Sequence, residues 1–232
     1  MTVSVAVFLG AAFAYMSTNN KPIKTLSTSV NNISISEVKI STDKSNNQNY
    51  DNIINKDGSI QNLNPGDVVP LKYSITNNGN IAVQVNSYVY LIFDNNKKIV
   101  SQNSTDLREK YYGNQSNLID SVSLWQNNTK LSCTEGYFKQ GNEIYYARRY
   151  EILPAAFTLN GKSEDIGSPQ KIDIDFDAKF DLHANSNTMN QGFRVKTFTN
   201  TIQYKNTSEE DLNKLMSEEK SFFVVTGGEQ NA

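Results

Sequence analysis

The sequence predicts an all-β protein, an antiparallel β-sandwich, on three observations. Apolar residues recur with a period of two, as in Val69, Leu71, Tyr73 and Ile75, and a strand sends alternate side chains to opposite faces. Turn residues separate these stretches, as at Asn64-Pro65-Gly66-Asp67. The polar content is mostly Asn, Ser, Thr and Gln, which suit turns and the solvent face of strands better than helices. A chain of 232 residues is within reach of a single sandwich. Its 12 Tyr and 11 Phe supply apolar area to bury despite a mean hydropathy of −0.53.

In chain order, Thr2 to Tyr15 is an uncharged apolar run with the length of a signal-peptide core. Ala12-Phe13-Ala14 offers small residues at both A-x-A positions, placing a cleavage between Ala14 and Tyr15. Residues 1–14 are therefore expected to be a signal peptide; the alternative is a buried hydrophobic strand at the chain start, which the lack of a Lys or Arg ahead of the run favours. No second membrane span is expected after it. Residues 15–29 are polar around Asn19, Asn20, Lys21 and Pro22 and are expected to form an extended arm. Residues 30–232 are assigned to the sandwich.

Within the sandwich, Ile33, Ile35, Val38 and Ile40 change phase near Glu37, which predicts a strand with a bulge, followed by an Asn-rich loop over 42–62. The turn at 64–67 opens a strand through Ile75. Asn77-Asn78-Gly79-Asn80 then predicts a hairpin to Val83, Val85, Val89, Leu91 and Phe93. Further strands are expected over 118–125, 131–138, 143–153, 171–183, 193–204 and 221–226. Ser208-Glu209-Glu210-Asp211 resembles a capping box ahead of Leu212, Leu215 and Met216, predicting one short helix near the C-terminus.

Few residues offer chemistry. The 22 basic and 24 acidic residues are spread along the chain, so no basic surface for nucleic acid is expected. Cys133 is the single cysteine and His183 the single histidine, which argues against a Cys/His nucleophile; Cys133 reads as a small, partly buried strand residue. There is no H-E-x-x-H, C-x-x-C, G-x-S-x-G, P-loop or dinucleotide fingerprint, so neither enzyme nor cofactor is predicted. Asp173, Asp175 and Asp177, with Asp181 and His183, fall on one face of KIDIDFDAKFDLH and are candidate ligands for a hard cation. Parallel side chains interrupted by Lys179 read instead as a solvated sheet face. Arg148-Arg149 reads as a solvent-facing pair of strand cations, with stacking or anion binding as the alternative.

Taken in order, several segments resemble the TasA and camelysin family of Gram-positive extracellular matrix proteins. Gly10 to Ser17 (GAAFAYMS) is similar to the family's leader end. Leu63 to Asp67, a strand, and Thr76 to Asn80 resemble its proline-glycine turn and N-x-G hairpin. Tyr145-Tyr146 before Leu153-Pro154 resembles a paired-tyrosine strand ending in a proline turn, and Gln191-Gly192-Phe193 running to Ile202-Gln203 resembles the penultimate strand. Ala155, where the family pattern has a turn glycine, departs from it.

The resemblance implies a jelly roll, processing by a dedicated signal peptidase, and a secreted protein that polymerises with itself into biofilm-matrix fibres at or beyond the cell surface, with or without an accessory matrix protein. It also implies assembly by strand addition, in which the arm of one subunit closes a sheet edge of the next. The arm residues expected to mediate this are Tyr15, Met16, Lys21, Pro22, Ile23 and Leu26. Two alternatives are a camelysin-like surface metallopeptidase and a monomeric surface adhesin.

Overall fold

The computed structural model describes residues 11–12, 26–28, 33–41, 59–61, 63–93, 117–162, 170–184, 192–203 and 219–225. In chain order the strands are β1 (Ala11–Ala12), β2 (Leu26–Thr28), β3 (Ile33–Ile35), β4 (Lys39–Ile40), β5 (Val68–Asn77) and β6 (Val83–Phe93). After helix α1 (Asn117–Ser121) come β7 (Val122–Gln126), β8 (Thr129–Lys130), β9 (Cys133–Gln140), β10 (Glu143–Leu159), β11 (Lys171–Phe180), β12 (Phe193–Gln203) and β13 (Phe223–Val225). Residues 219–222 are helical. The predicted helix at 208–216 lies outside the described residues. No helix among the described residues is long and apolar enough to cross a membrane.

Two sheets pack as a sandwich. Sheet A runs β1-β2-β12-β6-β10-β9-β13, and sheet B runs β3-β5-β11-β7-β8 with β4 also on β5. The ladders among the described strands are antiparallel except β2 on β12, which is parallel. The chain crosses between sheets from β2 to β3, β5 to β6, β6 to β7, β8 to β9, β10 to β11 and β11 to β12. This corrects the expected hairpin at Asn77 to Asn80: β5 and β6 lie in opposite sheets. Alternation fixes which face of a strand is buried but not which strand lies beside it. Asn77 holds the crossing together. Its buried side-chain amide donates to the carbonyls of Ile81 (2.8 Å) and Asn160 (3.0 Å), and its Oδ1 accepts from Gly79 N–H.

The bulge near Glu37 forms as expected. Ile35 pairs with Ile75 and Lys39 with Lys72, so four steps along this segment meet three on β5. The Pro65-Gly66 turn also forms, with Gly66 at φ +89° and Asp67 N–H donating to Asn64 O at 2.9 Å. The tight hairpins are β7–β8, through Asn127 and Asn128 at φ 50° and 60°, and β9–β10, through Gly141 and Asn142. Several expected strand limits shift: residues 221–222 are helical, so the last described strand begins at Phe223, and the strand expected over 131–138 is Cys133–Gln140. The segment at 118 begins as helix α1, β10 continues through Pro154 to Leu159 across two register shifts, and β11 stops at Phe180, leaving Leu182 70% exposed. Proline within a strand is tolerated at such irregularities.

The core between the sheets is built from Val83, Val85, Val89, Leu91 and Phe93 of β6 facing Leu71, Tyr73, Ile75, Ile174 and Phe176 of sheet B. A buried hydrogen-bonded row crosses it: Ser87 Oγ lies 2.7 Å from Tyr73 Oη of the opposite sheet and 2.9 Å from Thr199 Oγ1 of its own. At the far end, Arg148 of β10 donates to the Ile119 carbonyl and to Glu135 (2.8 Å), fastening α1 to sheet A.

Candidate functional site

The candidate site is the β12 edge of sheet A. β12 presents eleven residues, and β6 pairs with its other side along the whole of Phe193–Gln203. On the open side, Ile60 bridges to Phe193 at one end, and Leu26, Ser27 and Thr28 of β2 run parallel to Phe198, Thr199 and Asn200. β1 then pairs with β2, Ala11 with Thr28 and Ala12 with Ser27. The edge is thus covered by short pieces of the N-terminal region. Two of the predicted segments meet here: Leu26 of the arm is in β2, and Ala12 of the cleavage signal is in β1. Tyr15, Met16, Lys21, Pro22, Ile23 and Ala14 lie outside the described residues.

A second cluster, not anticipated from the sequence, covers the outer face of sheet A. Tyr90, Ile92, Phe138, Tyr145, Ala147 and Phe198 are buried there beneath Phe222 and Phe223. The Tyr90 ring meets those of Phe138, Phe222 and Phe223 edge-on at 5.2–5.8 Å. Glu219 anchors this cover, accepting the Tyr90 hydroxyl at 2.5 Å and an Arg149 N–H at 2.7 Å. Burial first, and the Glu219 charge second, push the Tyr90 phenol well above its ordinary value, so it remains a donor. Burial opposes the Arg149 charge, but Glu219 together with Tyr90 and Tyr88 outweighs it and the guanidinium ends above its ordinary value. The sequence signal was the unbroken run Tyr88-Val89-Tyr90-Leu91-Ile92-Phe93, apolar on both faces of the strand.

Arg148 and Arg149 are therefore not simply solvent-facing. Arg148 joins Asp120 and Glu135, and Arg149 joins Glu219 while lying 5.0 Å from the Tyr88 ring centre. Cys133 opens β9 and is exposed rather than partly buried.

Asp173, Asp175 and Asp177 line the outer face of β11 as predicted. Each has a neighbour of another kind: Lys171 is 2.8 Å from Asp173, Ser41 donates to Asp175 at 3.5 Å, and Asp177 pairs across to Trp125. Among the described residues no group of three His, Cys, Asp or Glu is placed to hold a metal ion. Asp181 and His183 leave the row because the strand has ended. His183 N–H donates to Asp181 Oδ1 at 2.8 Å, which, ahead of the side-chain contacts, lowers the Asp181 carboxyl below its ordinary value.

No family model matches this sequence, and no curated protein matches it. A solved structure of AvmM, which catalyses macrocyclization in alchivemycin A biosynthesis, is 10% identical over 62% of this chain and 85% of its own. The TM-score of 0.31 is too low for the likeness to carry an argument.

Proposed function

We propose that this chain is a secreted structural protein that polymerises into extracellular, biofilm-matrix filaments, the N-terminal arm of one subunit adding as a strand to the β12 edge of the next. The observation that carries this reading is the β2–β12 ladder, in which part of the arm already meets that edge over three residues. Such a ladder is weakly held. A few main-chain hydrogen bonds at about 1 kcal/mol each are set against about 1–2 kcal/mol to order each residue's backbone. A partner strand spanning more of the eleven residues of β12 adds cross-strand side-chain contacts to its main-chain hydrogen bonds, which offset the larger ordering cost, and being intermolecular it is favoured as concentration rises. Partners are then other copies of the chain, a dedicated signal peptidase before assembly, and an accessory matrix protein if nucleation needs one.

The test is negative-stain electron microscopy of the chain starting at Tyr15 beside one starting at Val30, over a range of concentrations. Filaments from the longer chain alone are the expected result. Monodisperse particles from both at every concentration contradict the proposal.

A further inference from the structure

The side chains of β12 carry a pattern that bears on which strand its edge accepts. Phe193 and Val195 belong to the core between the sheets, and Phe198 to the cluster on the outer face. Side chains alternate along a strand, so Thr197, Thr199 and Thr201 continue the inward row, and all three are buried. The core beside this edge is thus lined by hydroxyls. Thr199 Oγ1 lies 2.9 Å from Ser87 Oγ, whereas Thr197 Oγ1 is buried with no hydrogen-bond partner among the described residues. A buried hydroxyl without a partner destabilises the chain until a neighbouring group supplies one.

We infer that the β12 edge selects its strand by hydroxyl side chains at the inward positions, and that Ser27 of a second copy is the specificity-determining residue opposite Thr199; the inference rests on the filament reading. The β2 ladder gives the register, with Leu26 opposite Phe198, Ser27 opposite Thr199 and Thr28 opposite Asn200. Opposed positions share a face of the sheet. The order apolar, hydroxyl, polar therefore matches β12 position by position. The apolar residue falls opposite Phe198, whose ring meets that of Phe222 at 5.0 Å on the outer face, and the small hydroxyl falls opposite the inward Thr199. A slip of one residue sets Leu26 opposite Thr197 or Thr199 and reverses the match. A strand with Val or Ile at the inward positions has the right period, but it sets hydrocarbon against the buried Thr197 and Thr199 hydroxyls, and the edge discriminates against it for that reason.

The experiment uses the full chain and its Ser27→Thr and Ser27→Val variants, whose new side chains share one branched shape and differ by a hydroxyl against a methyl group. Amide exchange at residues 198–200 in dilute protein reports how firmly the edge is occupied, and electron microscopy gives the concentration at which filaments appear. Ser27→Thr should stay within about twofold of the parent in both. Ser27→Val should exchange about tenfold faster and need about tenfold more protein to assemble. Thr197→Val separates pairing from packing: losing an unpartnered hydroxyl should leave the urea midpoint of dilute protein level or raised, while the concentration needed for filaments rises about tenfold.

Equal behaviour of Ser27→Thr and Ser27→Val overturns the inference, as does a Thr197→Val chain that loses stability when dilute or assembles as the parent does. If no chain forms filaments but Ser27→Val still exchanges faster than Ser27→Thr, the hydroxyl selection stands and the filament reading falls.

Discussion

Ser87 is one of the described residues that hydrogen-bond the two sheets together, and its two neighbours make the consequence of losing it unequal. Tyr73→Phe removes one hydroxyl and leaves Ser87 with Thr199, so it should cost about 1 kcal/mol. Ser87→Ala leaves both the Tyr73 and Thr199 hydroxyls without this buried partner and should cost more, about 2–3 kcal/mol. Urea denaturation of the two variants checks the order, and equal or reversed costs would show that the row does not act as described. The same logic applies outside the core, where Glu219→Leu leaves Arg149 half-buried without its carboxylate. Glu219→Gln keeps an acceptor for Tyr90 and should be the milder change, as judged by thermal unfolding.

At the scale of elements, Gly136 decides whether β13 can dock. It lies opposite Val225, and a Cβ there would meet the Val224 carbonyl oxygen and approach Phe223 Cζ to 2.5 Å. Gly136→Ala should therefore displace Phe223–Val225, seen as accelerated amide exchange confined to β13 and its partners on β9; unchanged protection would mean that the strand shifts to accommodate the methyl group.

Element positions were the most legible part of the sequence, because alternation and turn chemistry act locally. The bulge near Glu37, the turn at Gly66 and the long strands β5, β6, β11 and β12 followed from those signals. Sheet membership did not. A loop such as 78–82 is rich in turn residues whether it closes a hairpin or crosses to the other sheet, and the difference lies in Asn77 reaching carbonyls at Leu159 and Asn160, more than 80 positions away. The candidate edge was legible only in its donor. Which strand stands open depends on the whole sheet order, and no local pattern around Phe193–Gln203 reports that.

At the scale of the whole molecule, buried phenols set the alkaline limit of stability. Burial, before any neighbour, raises Tyr73, Tyr90 and Tyr150 above their ordinary values. In the unfolded chain these groups lose protons near pH 10, while in the folded chain they keep them. The stability they contribute is thus fully present below about pH 10 and is lost as pH rises beyond it. Urea midpoints should be level from pH 7 to 9 and fall above 10, with tyrosinate absorbance appearing together with unfolding. Ionisation of these tyrosines well before unfolding would contradict their burial.

The central claim is that the arm of one subunit occupies the β12 edge of another. Thr28 and Asn200 are partners in the β2–β12 ladder, so the most direct measurement mixes two chains, one carrying Thr28→Cys and the other Asn200→Cys, both with Cys133→Ser. Each chain then holds a single thiol, and any disulfide between them joins two subunits. Oxidised filaments should yield a mixed covalent dimer that is absent from dilute, unassembled protein. Filaments that form without this dimer, with no link from the arm to β12, would contradict the account.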